Sequence, residues 1–148
     1  MSAIPVKTAV FTYGTLQFPE VMVAVTGGTF ASVPALLENY ACYSLKGKSY
    51  PGIRRQPGAL TRGILYTGID ARALQRLDDF EDDFYRRQTL LVVTADSART
   101  PAEVYVVAEE RYELLASNLW DSERFKEHSL QRFLSRCRAQ APIRAPSG

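Results

Sequence analysis

Val6-Lys7-Thr8-Ala9-Val10-Phe11-Thr12-Tyr13-Gly14-Thr15-Leu16 passes from a β-prone run into a glycine turn, and its surroundings set the fold class. Val6, Val10, Phe11 and Tyr13 read as a buried first strand that ends at Gly14. Pro19 and Glu20 suit the first turn of a short helix that runs on through Val21 to Thr26 and stops at Gly27-Gly28. Phe30 to Leu45 is β-branched and aromatic in patches but interrupted by Pro34, which predicts one or two bent strands at a sheet edge or barrel corner. Lys46 to Gly58 holds three glycines, two prolines and four basic residues, so it is expected to be exposed and irregular.

Farther along, Leu60 to Ile69 returns to strand character, with Gly63 and Gly68 marking a bulge or a close backbone approach. Asp70 is a good N-cap for a helix from Ala71 to about Asp79, whose Leu74 and Leu77 share a face. Tyr85 to Ala95 and Glu103 to Ala108 read as strands joined by the polar segment Asp96 to Pro101. Tyr112 to Ala139 contains a helical segment starting near Asp121, with Phe125, Leu130, Phe133 and Leu134 at helical spacing. Strands outnumber helices and do not alternate with them strictly, which predicts an α+β domain on a bent sheet, open or closed. Residues 1–139 are expected to form one domain, and 140–148 reads as a disordered tail.

With 148 residues, 46% of them hydrophobic, the chain can build one apolar core without disulfides or a structural metal. Its formal charge of +2 is too small to point to nucleic acid. Cys42 and Cys137 cannot make a disulfide framework and sit far apart with no second pair to complete a zinc site, and His128 is the single histidine, so no metal is expected. The N-terminus lacks a basic segment followed by an apolar stretch, and no apolar run is long enough to span a bilayer. The expected setting is the cytoplasm, without membrane contact, and the size is compatible with a monomer.

Two features carry chemistry. The Tyr13-Gly14-Thr15-Leu16 segment reads either as a tight turn that Gly14 merely allows or as a run of backbone N–H groups that receives a carboxylate or a developing oxyanion. Leu77 to Arg87 embeds five carboxylates among apolar residues. Asp78, Asp79 and Asp83 read as solvated, whereas Glu81, between Phe80 and Phe84-Tyr85, reads as a partly desolvated carboxylate able to carry a proton near neutral pH. A triad built on His128 with Ser122 or Ser129 is disfavoured, because no serine sits in a nucleophile elbow.

Taken in order, Tyr13-Gly14-Thr15-Leu16, Tyr50-Pro51-Gly52-Ile53, Gly63-Ile64-Leu65-Tyr66 and Leu77-Asp78-Asp79-Phe80-Glu81, followed by Tyr85 and Arg87, resemble the γ-glutamylcyclotransferase-like (AIG2-like) family over roughly residues 7–135. The resemblance implies a small mixed β-barrel with flanking helices. It implies conversion of a γ-glutamyl amide or peptide to 5-oxoproline and free amine, with a small-molecule substrate and no cofactor. Glu81 would be the general acid and base. The Tyr13, Gly14, Thr15 and Leu16 turn would hold the glutamyl part, with Tyr50, Pro51, Gly52 and Tyr85 along the site. Arg87 is expected to pair with a nearby Asp. Asp82 departs from the glycine common at that position in the family, which raises the question of a positive φ and of a second carboxylate beside Glu81. The basic residues Lys46, Lys48, Arg54 and Arg55 are candidates for selecting an anionic leaving portion. A non-catalytic binding module on the same fold is the alternative.

Overall fold

The computed structural model describes residues 7–144. Strand β1 (Thr8–Thr12) runs into a 3-10 turn at Thr15–Gln17 and then α1 (Pro19–Thr26), which Gly27 ends in the left-handed conformation. The strands β2 (Ser32–Leu45) and β3 (Pro51–Ile69) form one long antiparallel ribbon. Helix α2 (Ala71–Phe80) follows, capped by the Asp70 side chain accepting from the Ala73 N–H. Next come β4 (Tyr85–Thr94), β5 (Arg99–Val107), β6 (Leu115–Leu119), α3 (Ser122–His128) and α4 (Leu130–Arg144).

The sheet order β3-β1-β5-β4-β2-β6, with a further β2–β3 pairing, closes β1 to β5 into a five-stranded barrel and leaves β6 hanging from β2. All pairings are antiparallel except β1 with β5. Alternation along the strands sorts side chains to two faces. Phe11, Leu37, Ile53, Leu65, Val92 and Val104 fill the barrel. Val10, Tyr66 and Tyr105 face outward and pack with the helices through Val21, Leu77, Phe125 and Leu134. This is an α+β fold, a small barrel with flanking helices. No helix among the described residues is long and apolar enough to cross a membrane.

The stretch expected to be irregular over Lys46 to Gly58 is strand from Pro51 onward. Both prolines occupy places where the ladder loses no hydrogen bond. Pro51 is the first strand residue, and Pro57 lies at the bulge where the β2–β3 register shifts between Glu38 and Tyr40. There Asn39 adopts φ 66 and its Oδ1 accepts from the Gly58 N–H at 3.0 Å. That bulge also bends β2, so Phe30 to Leu45 gives one bent strand rather than two. β5 starts at Arg99, earlier than Glu103, and the short β6 precedes the helical segment expected within Tyr112 to Ala139. The C-terminal helical segment begins where Asp121 caps it but is split at Ser129. Helix α4 continues to Arg144, through the first part of the expected tail, and 145–148 lie outside the described residues.

Candidate active site

One cavity of about 210 Å³ opens where β1 ends. Its lining draws on the turn after β1, on Tyr50 and Pro51 at the start of β3, on the end of α2, on Tyr85 of β4 and Tyr105 of β5, and on α4. The barrel thus brings together segments far apart in sequence at the exit of its first strand.

The turn is built to approach β3 closely. A Cβ on Gly14 would stand 2.9 Å from two ring carbons of Pro51, so any side chain there would push the turn and strand apart. The Gly14 φ of −121° is outside the left-handed region, so contact, not torsion, is what demands glycine. Within the turn, Gly14 O accepts from the Gln17 N–H at 3.1 Å and Thr15 O from the Phe18 N–H at 3.2 Å. The N–H groups of Gly14, Thr15 and Leu16 have no backbone acceptor among the described residues and belong to residues that line the cavity. The Tyr66 hydroxyl braces the turn from below by donating to Leu16 O at 2.9 Å.

Glu81 ends α2, its N–H donating to Leu77 O at 3.1 Å, and an extended backbone there swings the side chain onto the cavity wall. Its carboxylate makes no hydrogen bond among the described residues. Burial, reinforced by the neighbouring charges of Asp82 and Asp78, raises its pKa from 4.5 to about 8. An acid with that value holds and releases a proton near neutral pH. Tyr13 and Tyr85 are held neutral well above their usual range, first by burial. Their hydroxyls are occupied in position: Tyr13 donates to Tyr105 O at 2.5 Å and Tyr85 to Pro51 O at 2.5 Å.

Asp78 corrects the solvated reading. It accepts from the Tyr105 hydroxyl at 2.7 Å and pairs with the Arg87 Nε at 2.9 Å, while Arg87 also meets Glu103 at 2.5 Å. The expected Arg87–Asp pair is therefore present. Asp79 and Asp83 are exposed, as expected. Asp82 does not have positive φ. Its Oδ2 accepts from the Tyr50 hydroxyl at 2.5 Å at the cavity edge.

Because Asp78 helps hold the Glu81 proton, Asp78→Asn should lower the pH at which Glu81 titrates, while the exposed Asp83→Asn should not. The carboxyl-carbon NMR shift of Glu81, followed against pH, reads this directly. A midpoint that stays put or rises in Asp78→Asn would contradict the assignment.

Eight of the nine residues singled out from sequence line this cavity: Tyr13, Gly14, Thr15, Leu16, Tyr50, Pro51, Glu81 and Tyr85. Gly52 does not. Strand alternation turns it to the other side, where a Cβ would stand 2.4 Å from Val107 and 3.1 Å from Leu115. Two of the basic residues are elsewhere, Arg54 stacked on Tyr112 with its Cζ 4.3 Å from the ring centre and Arg55 in a separate cleft, whereas Lys48 Nζ lies 5.9 Å from the ring centre of the cavity-lining Tyr50. His128 is exposed beside Glu127. No group of three or more His, Cys, Asp or Glu among the described residues is placed to hold a metal. Sequence reasoning missed Phe80 and Tyr105, and it missed Phe133, Arg136 and Cys137 of α4. Helical spacing marked Phe133 only as core, and nothing local marks Arg136.

The family model described as gamma-glutamyl cyclotransferase, AIG2-like, matches residues 10–122. The chain belongs to this family. AIG2-like protein C of Arabidopsis thaliana is 32% identical over 126 residues, which cover 84% of this chain and 73% of the relative. An Arabidopsis thaliana protein solved in solution superposes with a TM-score of 0.71 at 29% identity, over 95% of this chain and 85% of that one. A structure described as a gamma-glutamyl cyclotransferase gives a TM-score of 0.61 at 17% identity, over 90% and 88% of the two chains, a likeness of fold. The AIG2-like match includes the glycine turn, Tyr50 and Glu81 but ends at residue 122, before the helix that closes the cavity.

Proposed function

We propose that this chain cyclises a γ-glutamyl amide or peptide to 5-oxoproline and free amine, with Glu81 as the proton carrier. The observation that supports it is one cavity lined both by a carboxylate with a pKa raised to about 8 and by Gly14, Thr15 and Leu16, whose N–H groups have no backbone acceptor among the described residues. The amides receive the carboxylate of the glutamyl part and the oxyanion. Glu81 takes a proton from the substrate's α-ammonium, and the freed amine attacks the γ-carbonyl carbon to close a five-membered ring. The bond from that carbon to the leaving nitrogen breaks as Glu81 returns the proton to it. A second proton leaves the ring nitrogen by the same route, so the amine departs protonated and no water is consumed.

The attack is intramolecular, so holding the substrate folded supplies much of the rate, and no protein nucleophile is required. A raised carboxyl pKa suits the task, because the proton must move both ways near neutral pH.

A panel of γ-glutamyl dipeptides, isopeptides and amine conjugates, with 5-oxoproline as readout, tests the proposal. Turnover of at least one member is expected and should survive EDTA, since each step uses only backbone donors and one carboxylate. Loss of turnover in EDTA that zinc or magnesium restores would contradict this mechanism. Binding without release of 5-oxoproline would replace the enzyme with a binding module.

A further inference from the structure

We propose that Arg136 on α4 is a specificity-determining residue that binds a carboxylate on the leaving portion of the substrate, so that γ-glutamyl amino acids are favoured over γ-glutamyl amines. The inference rests on the cyclisation proposed above and adds the substrate class.

The cavity has a buried end and an open end. Tyr13, Thr15 and Leu16 are buried, whereas Asp82 and Arg136 are exposed. The reacting carbon must lie near Glu81 and the turn amides, so the glutamyl part fills the buried end and the leaving portion projects toward the mouth. Two aromatic rings form a shelf there, Tyr50 edge-on to Phe133 at 6.2 Å between ring centres. The Arg136 guanidinium lies 6.0 Å from the Phe133 ring centre. Among the described residues no carboxylate lies within ion-pair distance of Arg136, whose planar guanidinium suits a carboxylate ligand. Asp82, the acidic group at the same mouth, is engaged by the Tyr50 hydroxyl. Arg136 is the one cation among the cavity-lining residues, while Lys48 meets the Tyr50 ring from outside that lining.

The test compares γ-glutamyl-alanine with γ-glutamyl-ethylamide, which differ only by the leaving-group carboxylate, and adds a γ-glutamyl diamine carrying a positive charge. Wild type should favour γ-glutamyl-alanine in kcat/KM. In Arg136→Gln that preference should shrink by about 10-fold or more, mainly through KM, the size expected for a charge-assisted hydrogen bond. Arg136→Lys should restore part of it. Equal losses on both substrates, an unchanged preference, or wild-type preference for the diamine would overturn the role of Arg136 while leaving cyclisation standing. If wild type releases 5-oxoproline from none of the three, the cyclisation reading and this inference fall together.

Discussion

Glu81→Gln should lower turnover of a γ-glutamyl substrate by about 100-fold or more, the usual size of a general acid and base contribution. The amide keeps the shape of the side chain but cannot exchange a proton. The fold should survive, and its response to pH gives a second readout. In the unfolded chain the Glu81 carboxyl loses its proton near 4.5, whereas in the folded chain it keeps it to about 8. The folded state therefore binds more protons across that window, and stability falls as pH rises through it. Glu81→Gln lacks this dependence. The variant's melting temperature should gain on wild type steadily from pH 4.5 to about 8. Asp83→Asn, on the exposed side, should change neither property. Asp82→Asn differs because its carboxylate holds the Tyr50 hydroxyl, so a moderate loss at the cavity mouth is expected. A folded Glu81→Gln protein with near wild-type turnover would remove Glu81 from the mechanism.

The largest expected loss of stability from a small change is at Gly63. This residue lies in β3 at the seam with β1, and a Cβ there would stand 2.2 Å from Thr12 O and 2.7 Å from the Phe11 ring. The carbonyl belongs to the backbone and cannot rotate away. Relief requires parting β1 from β3, next to the Thr12–Ile64 pairing and the hydrogen bond from Thr12 Oγ1 to Ile64 O at 2.9 Å. Overpacking of this kind reaches about 3 kcal/mol, which for a chain of this length lowers Tm by about 6–12 °C. Since β1 leads directly into the turn at Gly14, activity measured well below Tm should fall as well. A Gly63→Ala protein that melts with wild type would mean the seam has slack that these contacts do not allow.

Where local chemistry decides an element, the sequence was readable. Pro19 opens α1 and Gly27 closes it, Asp70 caps α2, and the close approach at Gly63 is where a strand glycine pointed. What could not be read depends on pairing across distance. Pro51 and Pro57 look like loop residues until β2 is laid beside them, when one proves to start a strand and the other to sit at a bulge. Asp78 looks like one of a solvated acidic run until β4 and β5 bring Arg87 and Tyr105 against it. The motif containing Gly52 is continuous in sequence, yet alternation along the strand puts its glycine on the side away from the cavity. Arg136 is separated from Glu81 by three strands, a 3-10 turn and helix α3, and only the packing of α4 over the barrel end joins them.

The proposed cyclisation differs from hydrolysis in its use of water. In it the substrate's own amine is the nucleophile, so water has no part in the bond-breaking step. Incubation of the protein with a γ-glutamyl substrate in water enriched in heavy oxygen, followed by mass spectrometry of the products, tests this most directly. Cyclisation should give 5-oxoproline of natural mass, an equal amount of free amine and no glutamate. Glutamate carrying heavy oxygen would mean that water attacks the γ-carbonyl, and would contradict it.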